Sequence, residues 1–285
     1  MWYRAQDSLF RCRYNTRVPR FKLTIEYAGT RFSGWQIQKN ARTVAGEIDQ
    51  AVRTVTRRGD FELYGAGRTD AGVHAAAQVA HLDVVTSLAP EMLRRRINDE
   101  LPADINVLRT EPVPHRFHAR HDAVGRRYLY QIARRRTAFA KAYVWWVKEP
   151  LDVARMQAAA HTFVGLRDFQ SFAQADDEPL TRQERPPSTR VLVDRVNVED
   201  ADGLVLVGIE GSHFLWKMVR RIVGVLVDIG RGELAPDAAA QFLQQASDVP
   251  ARLTAPASGL FLERVYYAGD GRPAALSAIT PLRAP

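Results

Sequence analysis

The 285 residues carry 46% apolar side chains, enough for a packed core, and no apolar stretch approaches the ~20 residues of a membrane-spanning helix. Forty Lys and Arg against thirty-two Asp and Glu give a net charge of +8, which points to a polyanionic partner such as nucleic acid, because clustered cations bind phosphates and release counterions. The single cysteine, Cys12, excludes an internal disulfide and fits a reducing compartment, so a cytoplasmic location is expected.

Residues 1–20 hold arginines at 4, 11, 13, 17 and 20 but no continuous apolar run of signal length, and read as an N-terminal extension. From Arg20 to Tyr27, apolar Phe21, Leu23, Ile25 and Tyr27 alternate with polar neighbours, the period of a half-buried strand. Thr43 can cap a helix on which Val44, Ile48, Val52 and Val55 share a face. Strands are predicted at 61–66, 77–85 and 104–110, and Pro90 opens a helix bearing Arg94, Arg95 and Arg96. A second series follows: a strand near 124–134, a helix from Asp152 to Val164, and a hairpin turning at Asp202-Gly203. Phe214 to Ile229 reads as a helix closed by Gly230, Pro236 starts another, and Leu260 to Tyr267 forms a last strand. Residues 174–189, rich in Pro, Asp, Glu and Arg, read as an exposed loop. The expected organisation is an α+β protein with an extension over 1–20, an α/β half over 21–114, a second over 115–270 and a tail over 271–285.

The stretch Gly65-Ala66-Gly67-Arg68-Thr69-Asp70-Ala71-Gly72-Val73-His74-Ala75 sets a basic and an acidic side chain in a glycine-rich turn between two predicted strands. Its three glycines permit left-handed backbone and close approach of another chain segment. A phosphate-binding loop is excluded because no Lys-Ser/Thr opens a helix after it.

The segment Gly67 to His74 resembles the signature of the tRNA pseudouridine synthase A family. Phe117-His118-Ala119-Arg120, Arg126-Arg127-Tyr128-Leu129-Tyr130, Phe214-Leu215 with Met218-Val219-Arg220, and Gly259-Leu260 resemble the family's other landmarks in order, so the resemblance spans about residues 20–268. It implies the pseudouridine synthase fold, with two related α/β halves around a central mixed, largely antiparallel sheet. It also implies a homodimer that isomerises uridines 38, 39 and 40 of the tRNA anticodon stem-loop. Three features depart from the pattern: Gly65 stands where many relatives have cysteine, Trp216-Lys217 precede Met218, and the first 20 residues have no counterpart.

Pseudouridylation breaks the bond from ribose C1′ to uracil N1 and joins C1′ to C5 without redox change or loss of a group, so no cofactor or metal is required. It does need a carboxylate that attacks the sugar or base, or that steadies the sugar cation and removes a proton; Asp70 is the candidate. The resemblance makes Arg220 the cation that keeps Asp70 ionised and Tyr128 the platform for the extruded base. Arg68 is expected to contact RNA or to hold the loop. His115, His118 and His121 lack the companion ligands of a zinc site, and Asp83, on an alternating strand, is expected at the surface rather than facing Asp70 as a second carboxylate. A noncatalytic RNA-binding protein would leave Asp70 unexplained, and a nucleoside hydrolase would release free uracil.

Overall fold

Phe21, Leu23, Ile25 and Tyr27 are buried while Glu26 faces water, so the alternation read in the sequence becomes strand β1 (Arg20–Tyr27). The computed structural model describes residues 18–174 and 188–282; most of the 1–20 extension with Cys12, and most of the 174–189 loop, lie outside the described residues. After β1, α1 (Val44–Thr56) is capped by Thr43, whose hydroxyl accepts from the amide of Gly46. Its Val44, Ile48 and Val52 are fully buried, each contributing about 1.5–3 kcal/mol of apolar burial. Strands β2 (Glu62–Gly65) and β3 (His74–Asp83), helix α2 (Pro90–Glu100) and strand β4 (Ile105–Val113) complete the N-terminal elements.

The rest of the chain forms β5 (Gly125–Ala133), β6 (Trp145–Trp146), α3 (Val153–Ala160), β7 (Gly165–Asp168), β8 (Arg190–Ala201) and β9 (Leu204–Gly211). These are followed by α4 (Met218–Arg231), α5 (Ala238–Gln244), α6 (Val249–Arg252) and β10 (Leu260–Tyr266). The β8–β9 hairpin turns at Asp202 and Gly203, both at positive φ, the geometry that the Asp-Gly pair favours. Helix α4 begins four residues later than the sequence suggests, because Lys217 adopts a left-handed conformation (φ 62°, ψ 1°) that stops helical geometry on its N-terminal side. Gly230 stays helical, and the helix closes at Gly232 (φ 83°).

Among the described residues, ten strands form one mixed, largely antiparallel sheet in the order β4-β1-β3-β10-β5-β9-β8-β7, with β2 on β3 and β6 on β5. The parallel pairings are β10 with β3 and β6 with β5. The last strand therefore joins the two ends of the sequence: Leu262 of β10 pairs with Ala75 of β3 on one side and with Tyr128 of β5 on the other. Two large apolar clusters flank this seam. One packs α1 and α2 on β1, β3 and β4; the other packs α3 and α4 on β5, β8 and β9; Tyr128 touches both.

Asp83 is not at the surface. It is 8% exposed and grips the Arg20 guanidinium through both oxygens at 2.5 Å, because the end of β3 is covered on one edge by β1 and on the other by β2. The tail also has structure: Arg127, 3% exposed, donates to the carbonyls of Pro273 and Ala275 and pairs with Glu263 at 2.8 Å. Leu276, Ile279 and Leu282 pack against Leu129, Leu204 and Leu206. Alternation along β5 explains the arrangement, since Leu129, Gln131 and Ala133 face the tail while Tyr130 and Ile132 face the α3–α4 cluster.

Candidate active site

Strands β2 and β10 share one edge of β3: β2 pairs with Ala80–Asp83 and β10 with His74–Ala75. The connection from Gly65 to His74 must therefore emerge in the gap between them, directly beside the β3–β10–β5 seam. Two strand spacings, roughly 10 Å, separate the backbones of Ala75 and Tyr128. A loop reaching back from Ala75 can thus place Asp70 beside Tyr128.

The loop is held at nearly every residue. Arg126 donates to Ala66 O at 3.0 Å, the Gln78 amide to Gly67 O at 3.0 Å, and the buried Thr69 hydroxyl meets the Tyr27 phenol at 2.7 Å. The Trp35 amide donates to Thr69 O, the Gly72 amide to Phe32 O, and the Val73 amide closes a turn on Asp70 O. His74 Nδ1 accepts from the Gly29 amide, so Nε2 carries the proton and donates to Ala142 O at 3.0 Å. Such support fixes the side chains that the loop carries without a ligand.

The glycines serve different ends than the sequence suggests. Of Gly65, Gly67 and Gly72, only Gly72 is left-handed (φ 78°). At Gly65 a Cβ would lie 2.6 Å from the Trp35 indole, so glycine stands there because a ring fills the space. The glycine that the sequence reading missed is Gly34 (φ 91°), where a Cβ would meet Thr69 O at 2.6 Å.

With Thr69 turned inward, Arg68 points outward, exposed and without an ion pair or hydrogen-bond partner among the described residues. Asp70 lies beside the start of α4 and Tyr128. Its Oδ2 lies 3.7 Å from Nη1 of Arg220, whose Nε donates to Ala255 O at 2.7 Å and so is anchored to the loop after α6. Burial pushes the Asp70 carboxyl above the ordinary aspartate value, opposed by the charges of Arg220 and Lys217 and by hydrogen bonding from Trp216. Tyr128 is partly buried, its ring edge-on to Phe214 with centroids 5.2 Å apart. Burial, then the nearby Asp70 charge, pushes its phenol up to about 12, so it stays a neutral donor.

The structure thus brings Asp70, Arg220 and Tyr128 together and leaves Arg68 at the rim. Trp216, Lys217 and Phe214 join them; the sequence marked the first two only as departures from a pattern. Among the described residues no group of three or more His, Cys, Asp and Glu is arranged to hold a metal ion. His118 instead takes the amides of Arg120 and His121 on Nδ1, holding a turn.

A family model described as tRNA pseudouridine synthase matches residues 23–122 and 159–268. The chain belongs to the tRNA pseudouridine synthase family. It is 40% identical over 254 residues to tRNA pseudouridine synthase A of Nitrobacter hamburgensis, covering 88% of this chain and 100% of the relative. It is 38% identical over 248 residues to the protein of that name from Acetivibrio thermocellus, covering 86% and 98%. Against tRNA pseudouridine synthase A 1 of Protochlamydia amoebophila the identity is 36% over 252 residues, covering 88% and 97%. The synthase is accordingly an isomerase that converts uridine to pseudouridine in tRNA. No helix among its described residues is long and apolar enough to cross a membrane.

Proposed function

We propose that this synthase acts on uridines 38, 39 and 40 of the tRNA anticodon stem-loop, as a cytoplasmic homodimer without a cofactor, and that Asp70 is its catalytic residue. The sites on tRNA and the dimer follow from the resemblance of the Gly67–His74 signature. The residue roles rest on one observation: a part-buried carboxylate on an immobilised loop, 3.7 Å from an anchored guanidinium and beside an aromatic ring.

A base in a stem is out of reach until it is extruded, and the flipped ring then needs a flat partner. Tyr128 provides it, kept upright by Phe214. Arg68, free at the rim of the loop, contacts the RNA as the nucleotide leaves its stack. Cleavage at C1′ leaves electron density on uracil and electron deficiency on the sugar. The Asp70 carboxylate answers that deficiency, and Arg220 favours its ionised form against the opposing effect of burial. The ring turns beside Asp70, C5 bonds to C1′, the C5 proton departs to solvent and N1, which kept the electron pair of the broken bond, takes up a proton, so atoms and electrons balance without an outside reductant.

The test is Asp70→Asn, nearly isosteric but uncharged and not nucleophilic. Turnover, read as tritium release from uracil labelled at C5, is expected to fall by roughly a thousandfold or more, as for other essential nucleophiles. tRNA affinity in a filter-binding titration is expected to hold or rise slightly, since Arg220 is left facing the phosphates. Near-normal tritium release from the folded variant would remove Asp70 from the chemistry. Pseudouridine mapping on tRNA from a strain lacking the enzyme tests the assignment to positions 38–40.

A further inference from the structure

Residues 134–148, which run from the end of β5 through β6, hold five basic side chains, four aromatic ones and no acidic one. Phe139 at the tip is 100% exposed, the most extreme position for a large apolar side chain among the described residues. Trp146 is 42% exposed, with the Arg136 guanidinium 6.0 Å from its ring centroid. Lys141 is exposed too. Nothing around Asp70 uses these groups.

The run is nevertheless tied to the catalytic motif. His74, the last residue of the Gly67–His74 signature, donates to Ala142 O at 3.0 Å and packs on the Tyr143 ring with centroids 5.1 Å apart. The Ser258 hydroxyl donates to Val144 O at 3.3 Å. At no more than ~3.6 Å per residue, Phe139 lies within about 11 Å of Ala142, and Asp70 within about 14 Å of His74. Tip and carboxylate therefore fall inside a span on the order of 30 Å, roughly nine steps of a stacked duplex at ~3.4 Å each. One folded RNA can reach both.

The composition selects the partner. Exposed rings interleaved with Arg and Lys suit stacking on unpaired bases and pairing with phosphates. A symmetric contact with a second copy would set like charges face to face across the axis, which opposes self-association. We propose that residues 134–148 form a second RNA contact, in which Phe139 stacks on an unpaired base and Lys141 and Arg136 hold flanking phosphates of the tRNA whose target uridine enters at Asp70. The proposal rests on the reading of Asp70 as the catalytic centre.

Phe139→Ala, Phe139→Trp and Lys141→Gln test it, all at exposed positions that leave the core untouched. Binding of an unmodified tRNA transcript is measured by filter titration across a range of KCl, and tritium release is measured at saturating tRNA. Phe139→Ala is expected to weaken binding about tenfold and Phe139→Trp to restore it. Lys141→Gln is expected to lower the slope of log affinity against log salt by about one, with turnover at saturation unchanged in all three. Affinity of Phe139→Ala within twofold of the parent would overturn the contact, as would sedimentation showing that this change dissolves an oligomer. Persistent turnover in Asp70→Asn, with the Phe139 effect intact, would instead remove the catalytic reading and keep the RNA surface.

Discussion

Asp70 is under two opposed demands. The proposed chemistry wants it ionised and its surroundings want it dry, and burial outweighs the combined pull of Arg220, Lys217 and Trp216, leaving its pKa raised. A folded-state pKa above the unfolded value means that the folded protein binds the proton more tightly, so this carboxylate subtracts stability as pH rises through the interval between the two values. The cost is complete above the folded-state value and gone below the ordinary aspartate range. Asp70→Asn, which mimics the protonated form, is therefore expected to melt at a slightly higher temperature than the parent at pH 7 and at the same temperature near pH 3. Calorimetry at the two pH values checks this, and a variant that melts lower at pH 7 would show that the Arg220 pairing outweighs burial. The same shift sets the acid limb of the activity profile above the usual aspartate value.

At the scale of elements, the loop between β2 and β3 is positioned less by its own sequence than by the turn after β1 that lies over it. Gly34 in that turn is left-handed, and a Cβ there would press on Thr69 O at 2.6 Å and on the Asp70 carbonyl carbon at 3.3 Å. Gly34→Ala combines an unfavourable left-handed alanine, about 1–2 kcal/mol, with displacement of the loop that carries Asp70, the proposed catalytic residue. A shift on the order of 1 Å in a reacting group can cost about a hundredfold in rate. The expected result is a folded protein with a modestly lower melting temperature, nearly normal tRNA affinity, and turnover reduced by roughly ten- to a hundredfold. Gly67, with no atom within 4 Å of an added Cβ, is the contrast: Gly67→Ala is expected to leave the melting temperature unchanged.

For the whole molecule, the tail decides how the sheet is closed. Beyond β10 the chain returns across β5 and β9, so that Arg272 pairs with Asp194 and Glu210 at 3.0 Å each and Arg127 is enclosed by carbonyls and Glu263. Glu210 is 3% exposed and, among the described residues, pairs with no other cation. Deleting residues 272–285 would strand it and uncover the apolar patch under Leu276 and Leu282. Loss of this part-buried pair and of the apolar cover together is destabilising. Urea unfolding of the truncated chain is expected to show a clearly lower midpoint; an unchanged midpoint would mean that the tail is not part of the cooperative fold.

The sequence alone determined whatever is local and periodic. The alternation of Arg20–Tyr27 gave β1 its residue bounds, Thr43 capped α1, and Asp202-Gly203 turned the β8–β9 hairpin, because each depends on side chains a few residues apart. A contiguous signature also marked Asp70. Tertiary structure decided what depends on partners distant in sequence. Strands β6 and β7, two and four residues long, exist only because β5 and β8 offer edges to pair with. Asp83 is buried because two neighbours cover its strand, and α4 starts at Met218 because Lys217 turns left-handed beside Asp70. The meeting of Asp70, Tyr128 and Arg220, spread over 150 residues, follows from the pairing of β10 with both β3 and β5, a long-range register that no local propensity encodes.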